Sequence, residues 1–402
     1  MIKSVKLTNF LSFGSNANEI ELRPLNIVIG ANGCGKSNFI EAFELLRSAP
    51  SDIGKPIRDG GGVMEWLYKG GDSEDTPTAS LEYIVTTESD FTDFVEYPFE
   101  LKYGFSFSSE KGLQRFKLVD ELVASVLNDM SSINQEIFYS YDKNSREMML
   151  GADISNIKNE WLHNVLDSQS VLAWNSAPHL YREIGLLSWL AGNVRLYRDW
   201  NFGKNMPCRQ PQKADGHDQF LESDGSNLAL MLNKLNHDIP SKRRLLKELQ
   251  NFYNEVEDYF IGTSGGYVQI YFQERGYSKP IPSTRLSDGT LRYLCLLAIL
   301  CNPSPPPLIC IEEPEIGIHP DILPSLARLM TEASEKSQLI VTTHSDIFVD
   351  AFSDNPEAIL VAEKTEGETQ LSRLNKDQLK PWLEKYRLGA LWTRGDIGGT
   401  RW

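Results

Sequence analysis

The sequence has no apolar segment as long as the roughly 18 residues needed to cross a bilayer. Residues 1–6 lead directly into an alternating strand pattern and lack the apolar core of a signal peptide. The chain is accordingly expected in the cytoplasm, without contact to a membrane. Cysteines are also few, since there are 5 in 402 residues and none forms a CxxC pair. Neither disulfides nor a structural zinc site is expected.

Positive charge is in deficit as well. Lys and Arg number 40 against 55 Asp and Glu, which gives a formal charge of −15. This excess opposes non-specific binding of nucleic acid over the whole surface, so such binding remains open only at a local basic patch. Residues 242–247 form a basic helical cluster, for which a solvated helix face is the favoured interpretation. Residues 195–209 mix cations with aromatic side chains, as nucleic-acid or nucleotide contacts often do.

The chain is 41% hydrophobic and 24% charged, which is the balance of a globular protein. Three sections that differ in the periodicity of their apolar residues follow one another along it. Residues 1–150 combine short strands with a helix over 38–48 and, from about residue 80, the period-two alternation of an antiparallel meander. Residues 151–265 are interpreted as a helical insertion, and residues 266–402 alternate strands with helices as a parallel sheet does. Helical apolar spacing in the insertion occurs in residues 161–166, 180–190 and 228–260. Largely apolar strands are predicted over 308–311 and 338–342.

The strongest local signal is the sequence GANGCGKS at residues 30–37, which fits G-x-x-x-x-G-K-[ST] between a buried strand and a helix. Glycines at these positions let successive backbone N–H groups curl around a phosphate, and the start of the helix adds positive potential. Lys36 is predicted to reach the outer phosphates and the Ser37 hydroxyl to ligate Mg²⁺. The predicted nucleotide contacts on this loop are Asn32, Gly33, Cys34, Gly35, Lys36, Ser37 and Asn38. Cys34 is interpreted as a small filler of the loop in preference to a redox switch.

Acidic residues follow the predicted strand 308–311. A buried strand that ends in an acid places that acid at the carboxyl edge of the sheet, so Glu312 is predicted to hold Mg²⁺ or its water. Glu313, one residue further on, is predicted to orient or deprotonate the attacking water of a phosphoryl transfer. His344 follows the strand 338–342 and is predicted to sense the γ-phosphate.

A Ser-Asp-Gly sequence opens the apolar helix predicted over 291–301. Ser287 is a favourable N-cap for this helix. The same geometry presents a hydroxyl, unpaired N–H groups and the positive end of the helix dipole to an anion, so Ser287 and Gly289 are candidate nucleotide contacts. Together the signals predict an α/β fold of the P-loop NTPase class, with a mixed sheet, an antiparallel β meander lobe and an inserted helical subdomain.

Four motifs in this order resemble those of the ABC-type ATPase heads of the RecF, SMC and OLD group. They are GANGCGKS at 30–37, LSDGT at 286–290, IEEPEIGIHP at 311–320 and TTHSD at 342–346. A narrower similarity, to the stand-alone bacterial predicted ATPases of this group, covers nearly the whole chain. It includes residues 9–13, 221–228 and 388–402.

The resemblance implies that two heads bind ATP between them, head to tail, and separate after hydrolysis. Ser287 of one subunit would complete the ATP site of the other, Glu313 would be the catalytic carboxylate, and residues 315–319 would cross the dimer interface. His344 would be the switch histidine. The implied function is an ATPase in DNA repair or anti-phage defence. Only 58 residues follow His344, so a Toprim-type nuclease effector is expected on a separate protein.

The sequence departs from the family at two points. Members usually carry Asp where Glu312 stands, and no Gln occurs between Ser37 and Gln114 to serve as the family's Q-loop ligand. A non-hydrolysing ATP sensor or scaffold therefore stays open as an alternative. An ATPase subunit of a membrane transporter is less favoured, because the 276 residues from Lys36 to Glu312 exceed what such subunits usually need. Trp382, Trp392 and Trp402 recur every ten residues, and packing is their default interpretation, with a surface for docking a partner as the alternative.

Overall fold

A computed structural model describes residues 1–16, 18–70, 78–86, 100–109, 115–126, 136–142, 168–174 and 182–400, and the backbone of 147–150. The chain forms two compact units. Unit 1 consists of Met1–Val194, Glu357–Leu374 and Ile397–Trp402, and unit 2 consists of Arg195–Pro356 and Asn375–Asp396. Each unit thus collects segments that are distant in sequence. The division of the chain at residues 150 and 265 stays a prediction.

The strands, in chain order, are as follows. They are β1 (Ile2–Thr8), β2 (Ile20–Glu21), β3 (Leu25–Ile29), β4 (Ala79–Thr86), β5 (Glu100–Ser109), β6 (Phe116–Val126), β7 (Ile137–Asp142), β8 (Glu147–Leu150), β9 (Arg195–Tyr197), β10 (Gln212–Lys213), β11 (Val256–Ser264), β12 (Tyr267–Glu274), β13 (Ile281–Pro282), β14 (Leu308–Glu312), β15 (Gln338–Thr342), β16 (Ile359–Thr365) and β17 (Glu368–Arg373).

The α-helices are α1 (Lys36–Ser48), α2 (Lys55–Asp59), α3 (Val63–Trp66), α4 (Arg182–Gly192), α5 (Leu228–His237), α6 (Ile239–Phe252), α7 (Asp288–Leu300), α8 (Leu323–Ala333), α9 (Asp346–Asp350), α10 (Lys376–Leu383) and α11 (Leu388–Thr393). None of these helices has both the length and the apolar character that crossing a membrane requires.

Unit 1 contains a seven-stranded sheet in the order β2-β1-β4-β5-β6-β7-β8. Strands β4 to β8 pair antiparallel with their neighbours in sequence, which confirms the predicted meander. Burial alternates strictly along β4, because successive side chains of a strand point to opposite faces. The buried face carries large aromatic side chains, among them Tyr83, Tyr103 and Phe105.

A second group of strands in unit 1 leads to the phosphate loop. All five residues of β3 are buried, as the apolar sequence predicts. Strand β16 lies parallel to β3, with Ile359 opposite Ile27, and β17 lies antiparallel to β16. The chain from the end of β16 turns back through β17, so Thr369 returns to the region where β3 ends.

Unit 2 contains three parallel strands, with β14 between β9 and β15. Strand β14 is apolar and buried up to Glu312, and β15 is buried throughout. Helix α7 is buried at every position from Thr290 to Leu300, as its apolar sequence requires. Separately, β11, β12, β10 and β13 form an antiparallel sheet around β12.

The helical spacing predicted through residue 260 is wrong in its last part. Helices α5 and α6 occupy Leu228–His237 and Ile239–Phe252, but β11 follows from Val256. A register shift between Val256 and Asp258 interrupts its pairing with β12, and this bulge lets Val256 and Tyr259 both be buried although they are three residues apart. The apolar spacing of a bulged strand therefore imitates a helix. The predicted segment 161–166 lies outside the described residues.

All five cysteines are free thiols in buried positions. They lie at Cys34, Cys208, Cys295, Cys301 and Cys310. Burial raises the pKa of Cys208 to about 11 and that of Cys301 to about 12, which keeps these two thiols protonated at neutral pH.

One carboxyl is buried in the core of unit 1. Glu121, on β6, is 1% exposed. Its Oε1 accepts a hydrogen bond of 2.9 Å from the Tyr103 hydroxyl, and its Oε2 accepts one of 2.8 Å from the Val171 N–H. The Ser170 hydroxyl donates to Oε1 as well. Burial raises the pKa of Glu121 from 4.5 to about 7, because desolvation outweighs these hydrogen bonds.

Glu121 is expected to make the stability of the protein fall as the pH rises from 4.5 to 7. In this range the folded protein holds a proton at Glu121 that the unfolded chain has released, so the free energy of unfolding decreases. Glu121→Gln does not titrate at this position. The difference in the free energy of unfolding between the variant and the wild type should therefore change by up to about 3 kcal/mol across this range. Urea denaturation at pH 5, 6, 7 and 8 measures the effect. If the free energy of unfolding changed equally with pH in the two proteins, this expectation would be contradicted. Glu136→Gln, at an exposed position, is the control.

Candidate functional site

The loop between β3 and α1 has the backbone that the sequence predicts for a phosphate cradle. Gly30 and Gly35 have φ values of 152° and 104°, which favour glycine. A Cβ on Gly30 would lie 2.4 Å from the Ala362 carbonyl oxygen, and one on Gly35 would lie 2.3 Å from the Thr369 Oγ1. Space for a side chain is therefore absent at both positions. A Cβ on Gly33, in contrast, would meet no atom within 4 Å, so this part of the loop is open.

The Lys36 side chain folds back over the loop that precedes it. Its Nζ donates hydrogen bonds to the carbonyl oxygens of Gly30, at 2.9 Å, and Ala31, at 3.1 Å. The residue is only 6% exposed. This is the position from which an ammonium meets a phosphate held by loop N–H groups. The open loop glycines and the position of Lys36 are thus compatible with a bound phosphate.

Hydroxyl groups brace the back of this loop. Thr369 Oγ1 lies 2.8 Å from the Cys34 carbonyl oxygen and 2.7 Å from the Ser12 Oγ. Asn38, predicted as a nucleotide contact, donates from Nδ2 to the Ser12 Oγ at 2.8 Å. The sequence did not point to Thr369, whereas Ser12 belongs to the segment 9–13 that resembles the family.

The predicted carboxylates of unit 2 lie at the carboxyl end of β14. Glu312 closes this strand, and the Nε of Arg198, which follows the adjacent β9, lies 3.0 Å from its Oε1. Their side chains are 18% and 20% exposed, respectively. A partly buried ion pair therefore engages the predicted magnesium ligand. Arg198 belongs to the mixed basic and aromatic segment 195–209, whose composition does not indicate this partner.

Glu313 and His344 form a second pair at the same edge. His344 Nε2 lies 3.4 Å from Glu313 Oε1. The Glu313 backbone has a φ of 45°, and its N–H donates to the Thr342 carbonyl oxygen at 3.0 Å. Glu315 fixes the other side of the histidine, because its Oε1 accepts from the His344 N–H at 2.8 Å and from the Thr343 hydroxyl at 2.7 Å. The structure thus brings together the two side chains that were predicted to act on the attacking water and the γ-phosphate.

Ser287 is the N-cap of α7, as predicted. Its Oγ accepts from the Thr290 N–H at 3.1 Å, and the residue is exposed. Gly289 has a packing role that the sequence did not reveal, because a Cβ there would lie 2.6 Å from the Gly317 carbonyl oxygen. The start of α7 and the loop 315–319 are therefore in close contact.

Some of these groups line an open cleft of about 780 Å³ in unit 2. Arg292, on its wall, lies over the rings of Trp200 and Phe202, with centroid distances of 5.5 and 5.7 Å. Burial lowers the pKa of Arg292. The cleft is lined by residues 199–203, Asp288, Gly289, Arg292, Glu312, Glu313, Ile316 and Gly317. Gly289 of the predicted signature motif thus shares one cleft with Glu312 and Glu313.

The model of a family described as "AAA ATPase domain" matches residues 1–241, more than half of the 402 residues. The chain belongs to this family. A second model, described as "AAA domain, putative AbiEii toxin, Type IV TA system", matches residues 154–350. No curated protein shows a significant sequence match.

Two solved structures show the same fold. A structure of an Smc head bound to the C-terminal winged-helix domain of ScpA is 14% identical, covers 94% of this chain and 99% of its own, and has a TM-score of 0.55. An Smc head with an extended coiled coil, bound to the C-terminal domain of ScpA, comes from Pyrococcus furiosus. It is also 14% identical, covers 96% of this chain and 98% of its own, and has a TM-score of 0.53. The predicted ABC-type P-loop ATPase head fold is confirmed.

Removal of the Thr369 hydroxyl should loosen the phosphate loop. Thr369→Val keeps the shape of the side chain but cannot bond to the Cys34 carbonyl or to Ser12, and we expect ATP to bind about five- to tenfold more weakly, as the loss of about 1 kcal/mol implies. Thr369→Ser should retain most of the affinity. Titration calorimetry measures both variants. Unchanged affinity in Thr369→Val would show that the brace does not contribute to binding.

Proposed function

We propose that this chain is an ATP-hydrolysing head that dimerises head to tail on ATP and controls a DNA-linked process in the cytoplasm, either DNA repair or anti-phage defence. The observation that carries the proposal is the Glu313–His344 pair beside Glu312 at the carboxyl end of β14. A carboxylate fixed next to an imidazole at such an edge suits the orientation and deprotonation of a water. The family description "putative AbiEii toxin, Type IV TA system" supports a role in defence.

In the proposed mechanism the loop N–H groups and Lys36 bind the triphosphate. Ser37 and Glu312 would hold Mg²⁺, which supplies positive charge to the phosphate oxygens. Glu313 accepts the proton of the attacking water at one carboxylate oxygen. His344 keeps this carboxylate in place, while Glu315 holds the backbone of His344.

The dimer is proposed from the exposure of Ser287 at the start of α7. Its hydroxyl would contact the ATP of a second copy, and residues 315–319 would lie at the interface. Because one nucleotide then contacts both copies, dimerisation depends on bound ATP. The similar Smc heads are described as bound to domains of another protein, which supports a separate effector, proposed to be a Toprim-type nuclease.

A non-hydrolysing ATP sensor is the second candidate. It is favoured by the ion pair between Arg198 and Glu312, which engages the carboxylate proposed for Mg²⁺. Steady-state release of phosphate from ATP separates the two functions, since a sensor binds ATP without turnover.

Glu313→Gln should bind ATP but release phosphate at least about 100-fold more slowly, because the amide cannot accept the proton of the water. With ATP and Mg²⁺ the variant should accumulate as a dimer in light scattering. Lys36→Ala should lose ATP binding and remain monomeric. Glu335→Gln, an exposed carboxylate beyond α8, is the matched control and should hydrolyse ATP as the wild type does. A monomeric Glu313→Gln protein in saturating ATP would refute the proposed dimer.

A mixture of two inactive variants tests whether the ATP site is shared. Lys36→Ala retains Ser287, and Ser287→Arg retains the phosphate loop, so each mixed dimer contains one complete site. An equimolar mixture should therefore recover about a quarter of the wild-type activity if the copies exchange freely. Phosphate release is measured over a range of ratios. If no ratio restores activity, Ser287 does not act on the nucleotide of the other copy.

A further inference from the structure

We propose that Arg209 is a positioning residue for Ser287, so that the serine hydroxyl is presented in a fixed place to the nucleotide held by a second copy of this chain. The inference deepens the proposed function and depends on the proposed contact between Ser287 and that nucleotide. Arg209 was part of the basic and aromatic segment 195–209, for which the sequence left nucleic-acid binding open.

Arg209 is buried, with 6% exposure, and its guanidinium contacts both neighbours of Ser287. It donates to the carbonyl oxygen of Leu286, on one side, and to the carboxylate of Asp288, on the other. A planar guanidinium with several donors in fixed directions is suited to such a double contact, which Lys cannot reproduce. One rigid group thus holds the backbone carbonyl before the serine and the side chain of the residue after it.

Arg209 is itself anchored at two further points, one through its guanidinium and one through its backbone. Its Nε and one terminal nitrogen donate to the Phe202 carbonyl oxygen, at 3.1 and 3.0 Å. The Arg209 carbonyl oxygen accepts from the Ser283 hydroxyl at 2.8 Å. Arg209 therefore joins the turn before the signature motif, the start of α7 and the segment that lines the cleft.

The exposed fractions of the side chains indicate that Arg209 positions Ser287 and does not itself bind the nucleotide. The side chain of Asp288 is 72% exposed and that of Arg209 is 8% exposed, so the guanidinium faces the interior while the start of the helix faces solvent. Arg209 does not meet a ligand at the surface. Its effect on the nucleotide of a second copy must pass through Ser287.

Hydrogen exchange on the nucleotide-free protein tests the positioning directly. Arg209→Gln should make the amides of residues 286–292 exchange about tenfold faster, because the Leu286 and Phe202 carbonyls lose their charged donor. Arg209→Lys should give an intermediate rate. Arg285→Gln is the matched control: it removes the same charge two residues before Ser287, at an exposed position, and should leave the exchange unchanged. Unchanged exchange in Arg209→Gln would overturn the proposal.

Dimerisation tests the consequence. In the Glu313→Gln background with ATP and Mg²⁺, Arg209→Gln should raise the dimer Kd about tenfold, the same factor as the exchange, whereas the affinity of the monomer for ATP should stay within about twofold, because the phosphate loop is intact. Faster exchange with an unchanged dimer Kd would overturn the link to Ser287. If Arg209→Gln failed to fold, its affinity for ATP and its affinity for a second copy would both fall. The same two affinities would then be measured for Arg209→Lys.

The two hypotheses fail in different ways. If Glu313→Gln with intact Arg209 stays monomeric in ATP, the proposed head-to-tail dimer is refuted, and the presentation of Ser287 to a second copy is overturned with it. If this protein dimerises and Arg209→Gln has no effect on its Kd, the dimer stands and only the role of Arg209 is overturned.

Discussion

The register of three parallel strands in unit 2 determines which side chains can meet. Ile311 lies opposite Tyr197 on β9, and Glu312 lies opposite Thr342 on β15. The residues that follow each strand therefore emerge at one edge, which is how Arg198 reaches Glu312 and His344 reaches Glu313. A shift of one residue in β14 would turn the carboxylate to the other face of the sheet.

The features that the sequence predicted are local ones. The phosphate loop, the N-cap at Ser287 and the strands over 308–311 and 338–342 depend on residues close together in the chain, whose spacing carries the signal. Their partners could not be predicted in the same way. Thr369 braces a loop more than 330 positions away in sequence, at Cys34, and nothing in the residues around it indicates this contact. Only tertiary structure shows such pairs.

The basic and aromatic segment 195–209 illustrates the same difference. Its composition is compatible with a nucleic-acid surface, but three of its arginines are engaged inside unit 2. Arg195 lies over the Phe220 ring at 4.8 Å, Arg198 pairs with Glu312, and Arg209 holds the backbone beside Ser287. Acidic residues outnumber basic ones across the chain. The arginines of this segment neutralise or orient groups of the same unit. The composition of a segment shows which charges it carries, but it does not show which groups those charges contact.

The close approach of Gly289 and Gly317 has a mechanical consequence. A methyl group does not fit between the start of α7 and the loop 315–319, and Arg292 ties the same two elements by donating to the Ile316 carbonyl oxygen. Neither element can move toward the other, since their backbones already touch. A displacement of this loop toward α7 would therefore have to move the start of the helix with it.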